Sequence, residues 1–590
     1  MGSCSYPYHL GVRFSALWGE IGGTQMKKVL VFLLLVAAST VAFAQNSKLS
    51  PDLQNSTASN VQVVVQYNNP PTTLDLGLLS SLGSILDSLP LINAVVADLP
   101  LSNALSLADQ SDVKYVSLDR PLAPTLSNAA PAVNAEAAWQ SGYTGSGIGV
   151  ALIDSGVSPH PDLNGLLGLS RVVWNQSFVP GNASAADQFG HGTHVAGLIG
   201  GNGASSTGPQ YTRTFKGIAP QANIVNLRVL DQNGSGTDSA VIKAINQAIQ
   251  LKTLFNIRVI NLSLGRAVYE TYTLDPLCQA VEKAWNNGIV VVVAAGNNGR
   301  YQPTNGYATV TSPGNDPYVI TVGAMKPMGT PTRVDDLIAS YSSKGPTVVD
   351  AIAKPDLVAP GNLLVSLEAP NSTLYNEAPS NRVPYNYYVE GGSTASSSSY
   401  FTLSGTSMAT GVVSGIVADL LQQNSSLTPD QMKARLMKTA WKSLPAYSSV
   451  TDPTTGITYT DQYDVFTVGA GYVDVEAALA NTDLAQGTAM SPVATYNFSN
   501  GYVYLTDSST AVWNTTSAWS NATVWGSQQF LVGAPASAMP GNPLWGSNDE
   551  VWGSNVLWGS NVLWGSNVLW GSNVLWGSNV LWGSSFYGGE

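Results

Sequence analysis

The sequence predicts an α/β protein with a mostly parallel sheet covered by helices, and three features carry that prediction. Between residues 130 and 480, short runs rich in valine and isoleucine recur. The runs are continuous, as in Val290-Val291-Val292-Val293, where a strand with one wet face would alternate. Helix-length segments separate them, and that rhythm makes the strands parallel with helices on both faces. In such a sheet, functional residues gather beyond the carboxyl ends of the strands.

Taken in order, residues 1–25 carry no clear pattern. Met26-Lys27-Lys28, the apolar run 29–41 and the small-x-small Ala42-Phe43-Ala44 then make 26–44 a secretory signal peptide, with cleavage expected before Gln45. The apolar run is short for a membrane span. Such a signal normally begins a chain, so 1–25 reads as a gene-model extension with translation starting at Met26. The alternatives are a long n-region or a membrane anchor.

Residues 45–128 read as a small α+β unit, with strands at 61–66, 92–99 and 113–118 and helices at 76–89 and 101–110. Pro121, Pro124 and Pro131 mark irregular chain after it. The main region, 129–484, offers strands at 148–153, 223–230, 258–262, 289–294 and 318–322. Its helices are expected at 191–199, 238–255, 276–286, 405–422 and 429–439.

Residues 485–590 change character. Trp513, Trp519 and Trp525 are six apart, and the tandem Val-Leu-Trp-Gly-Ser-Asn places Trp552, Trp558, Trp564, Trp570, Trp576 and Trp582 at the same spacing, with Trp545 one residue off the grid. Val-Leu-Trp favours extended chain and Gly-Ser-Asn a turn. The tail is either short strands stacked in a β-solenoid, suited to cell-surface or polysaccharide contact, or a repetitive disordered segment.

Composition narrows the function classes. Only 11% of the 590 residues are charged and the net charge is −12, which excludes the basic stripe of a nucleic-acid binder. Of the two cysteines, Cys4 precedes the signal, so Cys278 stands alone after cleavage and no intrachain disulfide forms. Cys278 sits on an apolar helix face and reads as a small buried residue, with a reactive thiol as the alternative.

Three stretches carry chemistry. Gly149-Val150-Ala151-Leu152-Ile153-Asp154-Ser155-Gly156 puts a carboxylate at the end of an apolar strand. Gly190-His191-Gly192-Thr193-His194 puts a histidine at a helix start. Ser404-Gly405-Thr406-Ser407-Met408-Ala409 puts a serine among small residues before an apolar helix, whose free N–H groups and dipole suit a developing oxyanion. Together they offer a nucleophile, a general base and a group that orients the base. His191 and His194, three apart, with His160 nearby, also raise a zinc site, but they lack further ligands and leave Ser407 unexplained.

The order Asp, His, Ser and the three motifs resemble the subtilisin-like serine proteases, the subtilases, over residues 130–480. The resemblance implies a subtilisin-like catalytic domain and a secreted serine endopeptidase. Ser407 is then the nucleophile, His191 the base and Asp154 its orienting group. Asn297, in Ala294-Ala295-Gly296-Asn297, takes the oxyanion-donor position. Ser263, Leu264 and Gly265 would line one side of the substrate cleft, Gly234 the other, and Ala295 and Gly296 the specificity pocket, whose small walls suggest large apolar side chains.

By the same resemblance, 45–128 is a pro-region that the enzyme removes between 119 and 134 and that inhibits it, and protein or peptide chains are the substrates. No cofactor is required, while Asp162 resembles one position of a structural calcium site. Two departures stand out. Gly411 occupies a place where the family usually has proline, implying some loss of rigidity, and Arg266 replaces a common glycine and could narrow the cleft or contact an acidic substrate residue. The alternative function is a catalytically silent surface-binding or structural protein acting through its Trp repeat.

Overall fold

The computed structural model describes residues 48–525 apart from 55, 90–92, 119–125, 166, 453–454, 498–501 and 515–516. The extension at 1–25, the signal at 26–44 and the tandem repeat beyond 525 lie outside the described residues. The chain divides into two compact units between Leu122 and Ala123.

The first unit holds β1 (Asn60–Tyr67), α1 (Thr73–Leu82), β2 (Ser84–Leu89), β3 (Ala94–Pro100), α2 (Leu101–Ser106) and β4 (Val113–Leu118). The strands pair antiparallel in the order β2-β3-β1-β4. Alternation along β1 sends Val61, Val63 and Val65 into the core, where they meet Leu79 of α1.

The helix expected over 76–89 is shorter and starts earlier. Thr72 caps it, accepting the Asp75 N–H while Asp75 accepts the Thr72 N–H at 2.6 Å. It stops at Gly83, whose missing Cβ would lie 2.3 Å from the Asp98 carbonyl. Beyond that glycine the chain runs as β2 beside β3. Residues 126–132, expected to be irregular, form a short helix with Pro131 inside it.

The second unit is organised by an eight-stranded sheet. Its strands are β5 (Gly149–Asp154), β6 (Val172–Ser177), β7 (Asn223–Arg228), β8 (Ile257–Leu262), β9 (Val290–Ala294), β10 (Ile320–Lys326), β11 (Leu337–Ile338) and β12 (Leu357–Pro360). The order is β11-β10-β9-β8-β5-β7-β6, with β12 also on β10, and every pairing is parallel except β10–β11. All of β5 and β9 is buried, as continuous apolar runs require. The chain leaves β5 for one side of the sheet and later returns to the other, so the switch point lies at β5, where Asp154 ends the strand.

Helices α3 (His191–Gly200), α4 (Asp238–Phe255), α5 (Pro276–Asn286), α6 (Thr373–Glu377), α7 (Thr406–Gln423) and α8 (Pro429–Thr439) complete the layers. Helix α7 is buried from Thr406 to Leu421, an apolar helix running through the core. A second sheet joins β13 (Leu364–Leu367), β14 (Arg382–Pro384) and β15 (Ser396–Leu403) in the order β13-β15-β14.

Residues 485–525 are part of this unit. The hairpin β16 (Val493–Asn497) and β17 (Tyr502–Thr506) leads to a short helix, Asn521–Trp525. Trp513, Trp519 and Trp525 are 1%, 6% and 1% exposed and share a core with Tyr307, Met437 and Phe466. The Trp513 indole N–H donates to the Met490 carbonyl at 2.8 Å.

Candidate active site

Asp154 is fully buried. Its Oδ1 accepts the Ser155 N–H at 2.7 Å and faces His191 Nδ1 at 2.8 Å. A carboxylate accepts, so Nδ1 carries the proton and Nε2 is left as an acceptor. Nε2 has no hydrogen-bond partner among the described residues. Gly190 precedes His191 with φ +108°, a left-handed turn natural to glycine, and a Cβ there would lie 2.6 Å from Ser372 Oγ. Burial pushes the imidazole pKa down, but the charge and hydrogen bond of Asp154, with the charge of Asp187 behind, outweigh it and raise the pKa overall.

Ser407 is the second residue of α7 and is 5% exposed. Its hydroxyl donates to the Ser263 carbonyl at 3.1 Å, and the Ser263 hydroxyl donates to the Ser407 carbonyl at 2.8 Å. Asn261 Nδ2 donates to Ser263 Oγ, and Ser414 Oγ to Asn261 Oδ1, so a buried polar chain ties β8 to α7. Just past β9, Asn297 Oδ1 accepts from the Thr406 N–H at 2.9 Å and from the Thr406 hydroxyl at 3.0 Å. With the amide oxygen so engaged, the amide nitrogen turns toward Gly405, the residue two before the serine.

The two halves meet where α7 packs on α3. A Cβ on Gly411 would lie 3.3 Å from both Val195 and Leu198, so Gly411 lets the serine's helix approach the histidine's. The departure from proline at Gly411 thus sits at a close helix–helix contact.

The other residues singled out in sequence divide between these halves. Gly234 has φ +72° and its Cβ would strike the Phe189 ring, which lies 6.4 Å from the His191 ring. Ser263 and Leu264 are buried beside Ser407, and Ala295 is fully buried at the end of β9. Gly265 and Gly296 both face Thr311: added Cβ atoms would lie 2.3 Å from its Oγ1 and 3.0 Å from its Cγ2. Thr311 therefore fills space between the two expected pocket walls, which narrows the pocket inferred from the walls alone. No local pattern in the sequence marks it.

Arg266 is not free to meet a substrate. It pairs with Asp238 at 2.9 Å and Asp275 at 2.8 Å. Cys278 is buried near Ser312 and Asn315, and burial pushes its thiol pKa far up, as an inert cysteine requires.

The metal alternatives fail on donors. His194 Nε2 is engaged by the carbonyls of Leu364 and Phe401 at 3.0 and 3.1 Å, and burial with the neighbouring His191 drives its pKa down to about 3. His160 faces the Ser399 carbonyl and accepts the Asp162 N–H. Among the described residues, no three His, Cys, Asp or Glu side chains converge to hold a metal.

The calcium position at Asp162 does not fit either. Asp162 Oδ1 accepts the Ser205 N–H at 2.7 Å and Oδ2 the Tyr400 hydroxyl at 2.7 Å. The Arg171 guanidinium occupies the neighbouring carbonyls of Asp162, Gly200 and Ala222 at 2.9, 2.5 and 2.7 Å. Calcium needs six to eight oxygen ligands, and here donors and an internal cation take that place.

The subtilase family model matches residues 145–487. Serine protease AprX of Bacillus subtilis (strain 168) is 40% identical over 358 residues, 58% of this chain and 73% of that protein. Subtilisin E of Bacillus subtilis (strain 168) is 34% identical, covering 61% of this chain and 78% of that one. The solved structure of a cold-adapted subtilisin-like serine proteinase is 31% identical and covers 54% of this chain and 89% of its own, at a TM-score of 0.37. The family match spans the strand that ends in Asp154, the helix that His191 opens and the helix that carries Ser407, and on that match the chain belongs to the subtilase family of serine endopeptidases.

Proposed function

We propose that this protein is a secreted endopeptidase that cuts peptide bonds by acyl transfer through Ser407, His191 and Asp154. The Ser407 hydroxyl attacks the carbonyl carbon, and His191 Nε2 takes its proton and returns it to the leaving amine. Asp154 fixes the tautomer and stabilises the imidazolium. Asn297 and the Ser407 N–H stabilise the oxyanion, and water then hydrolyses the acyl-enzyme. No cofactor enters these steps.

The observation that carries the reading is the buried Asp154–His191 contact at 2.8 Å, which leaves Nε2 without a partner among the described residues and so available as a base. The Ser407 hydroxyl rests on the Ser263 carbonyl and must leave it to meet Nε2. Such contacts commonly tighten only when substrate binds. Residues 263–265 on one side and Gly234 on the other would hold an extended substrate, with Ala295 and Gly296 beside the side chain preceding the scissile bond.

The reading includes self-processing: 26–44 directs export, and 45–128 serves as an inhibitory pro-region. Intact mass of the secreted protein beside its Ser407→Ala variant tests it. The wild type should lose residues 45 to about 130, and the variant should keep them. Equal masses, with neither protein cleaving an unfolded substrate, would overturn it.

A further inference from the structure

Behind His191 lies a second carboxylate that the proposed chemistry leaves unused. Asp187 stands four residues before His191 and is 5% exposed. Its Oδ1 accepts the Ser155 hydroxyl at 2.8 Å, the Gly190 N–H at 2.7 Å and the Phe189 N–H at 3.2 Å. Its Oδ2 accepts the Thr193 N–H at 2.8 Å. Ser155 Oγ in turn accepts the Gly192 N–H at 2.8 Å. Ser155 also gives its own N–H to Asp154 Oδ1, the atom that faces His191. One carboxylate thus ties the backbone on both sides of His191 to the residue next to Asp154, closing a ring through both members of the pair.

We propose that Asp187 is a positioning residue: through Ser155 and the N–H groups of Gly190 and Thr193 it sets the distance and angle between Asp154 and His191. The inference rests on reading His191 as the general base. Among the described residues, every hydrogen-bond partner of the Asp187 carboxylate is a donor, which is the environment of an anion. Burial raises its pKa overall, and those donors oppose the rise by favouring the anion. The charged neighbour is Arg228 of β7, whose guanidinium holds the carbonyls of Ser184 and Ala186 in the same loop at 3.0 Å each. Around His191 the ionisable groups are Asp154, Asp187 and His194. Removing the negative charge of Asp187 leaves Arg228 in place, so the imidazolium loses stabilisation and His191 protonates at lower pH.

The test compares Asp187→Asn and Ser155→Ala with the wild type and Ser407→Ala in the full chain. Asp187→Asn should keep KM and lose roughly 10- to 100-fold in kcat, the scale of a misplaced catalytic group. Its acid limb of kcat/KM should move to lower pH. Ser155→Ala, which cuts the bridge but keeps the charge, should lower kcat with little movement of the limb. The His191 pKa, read by NMR of 15N-labelled histidine in the Ser407→Ala background, should fall in the Asp187→Asn double variant and gives a readout independent of turnover.

An Asp187→Asn protein with wild-type kcat, or one whose loss matches its unfolded fraction while the limb stays fixed, overturns the proposal. If Asp187→Asn does not fold, an unchanged kcat in Ser155→Ala overturns it alone. Activity surviving in Ser407→Ala overturns the catalytic reading and this proposal together. An inactive Ser407→Ala beside a normal Asp187→Asn overturns only the latter.

Discussion

The histidine half and the serine half of the site are held by different physics. Around His191 the contacts are ionic: Asp154 and Asp187 lie in buried surroundings, and their charges raise the imidazole pKa. Around Ser407 the contacts are neutral: hydroxyls and amides of Ser263, Asn261, Thr406 and Asn297 position the helix start. The difference separates two tasks. On the proposed chemistry, the half that would gain and lose a proton is built from charge, and the half that would present a nucleophile and oxyanion donors is built from dipoles whose strength does not vary with pH.

Asp154→Asn is the harshest way to break that contrast. It keeps the shape, removes the charge and favours the wrong tautomer, so kcat should fall about 10⁴-fold, as in other proteases of this chemistry. The residual pH–rate profile should also show a lower acid limb. Asn297→Ala strikes the neutral half. It should cost about 100- to 1000-fold in kcat, a magnitude carried over from subtilisin itself, with the acid limb unmoved. A shifted limb in that variant would mean that the halves are not electrically separate.

Thr311→Gly should sharpen the neutral half by opening the space between Gly265 and Gly296. Peptide-library profiling should show kcat/KM for phenylalanine over alanine before the scissile bond rising by about 10-fold or more. An unchanged profile would place the specificity pocket elsewhere. The smallest effect is expected at Asp419, on the serine's own helix. Neither of its carboxyl oxygens has a hydrogen-bond partner among the described residues, and burial raises its pKa well above the usual range, with Lys216 opposing. Its folded pKa lies above its unfolded one, so it contributes stability at low pH that is lost as pH rises toward the folded value. Asp419→Asn should therefore unfold at a slightly higher temperature than wild type in alkaline buffer, and no higher in acid, by calorimetry.

What was legible in sequence was whatever depends on short stretches of chain. The strands β5, β8 and β9 are buried on both faces and announce themselves by unbroken apolar runs. Helices α4, α5 and α8 fall on their expected residues because caps and periodicity agree. Edge strand β6, Val-Val-Trp-Asn-Gln-Ser, was missed because its second half is polar. Strand β15 was missed because it opens on four serines. Asp187 reads as an ordinary turn residue in Asp187-Gln188-Phe189-Gly190, since its meaning lies in a bond to Ser155, 32 residues earlier. Thr311 matters only because two glycines far from it in sequence leave it room.

The three buried tryptophans at 513, 519 and 525 bear on how the protein can be shortened. The family match ends at residue 487, while the core continues to Trp525. A truncation drawn at the edge of the resemblance would strip the cover from Tyr307, Met437 and Phe466 and bare a broad greasy surface. Its product would fail through clumping rather than through loss of the groups proposed to cut peptide bonds, and a clean minimal enzyme has to keep the chain through Trp525.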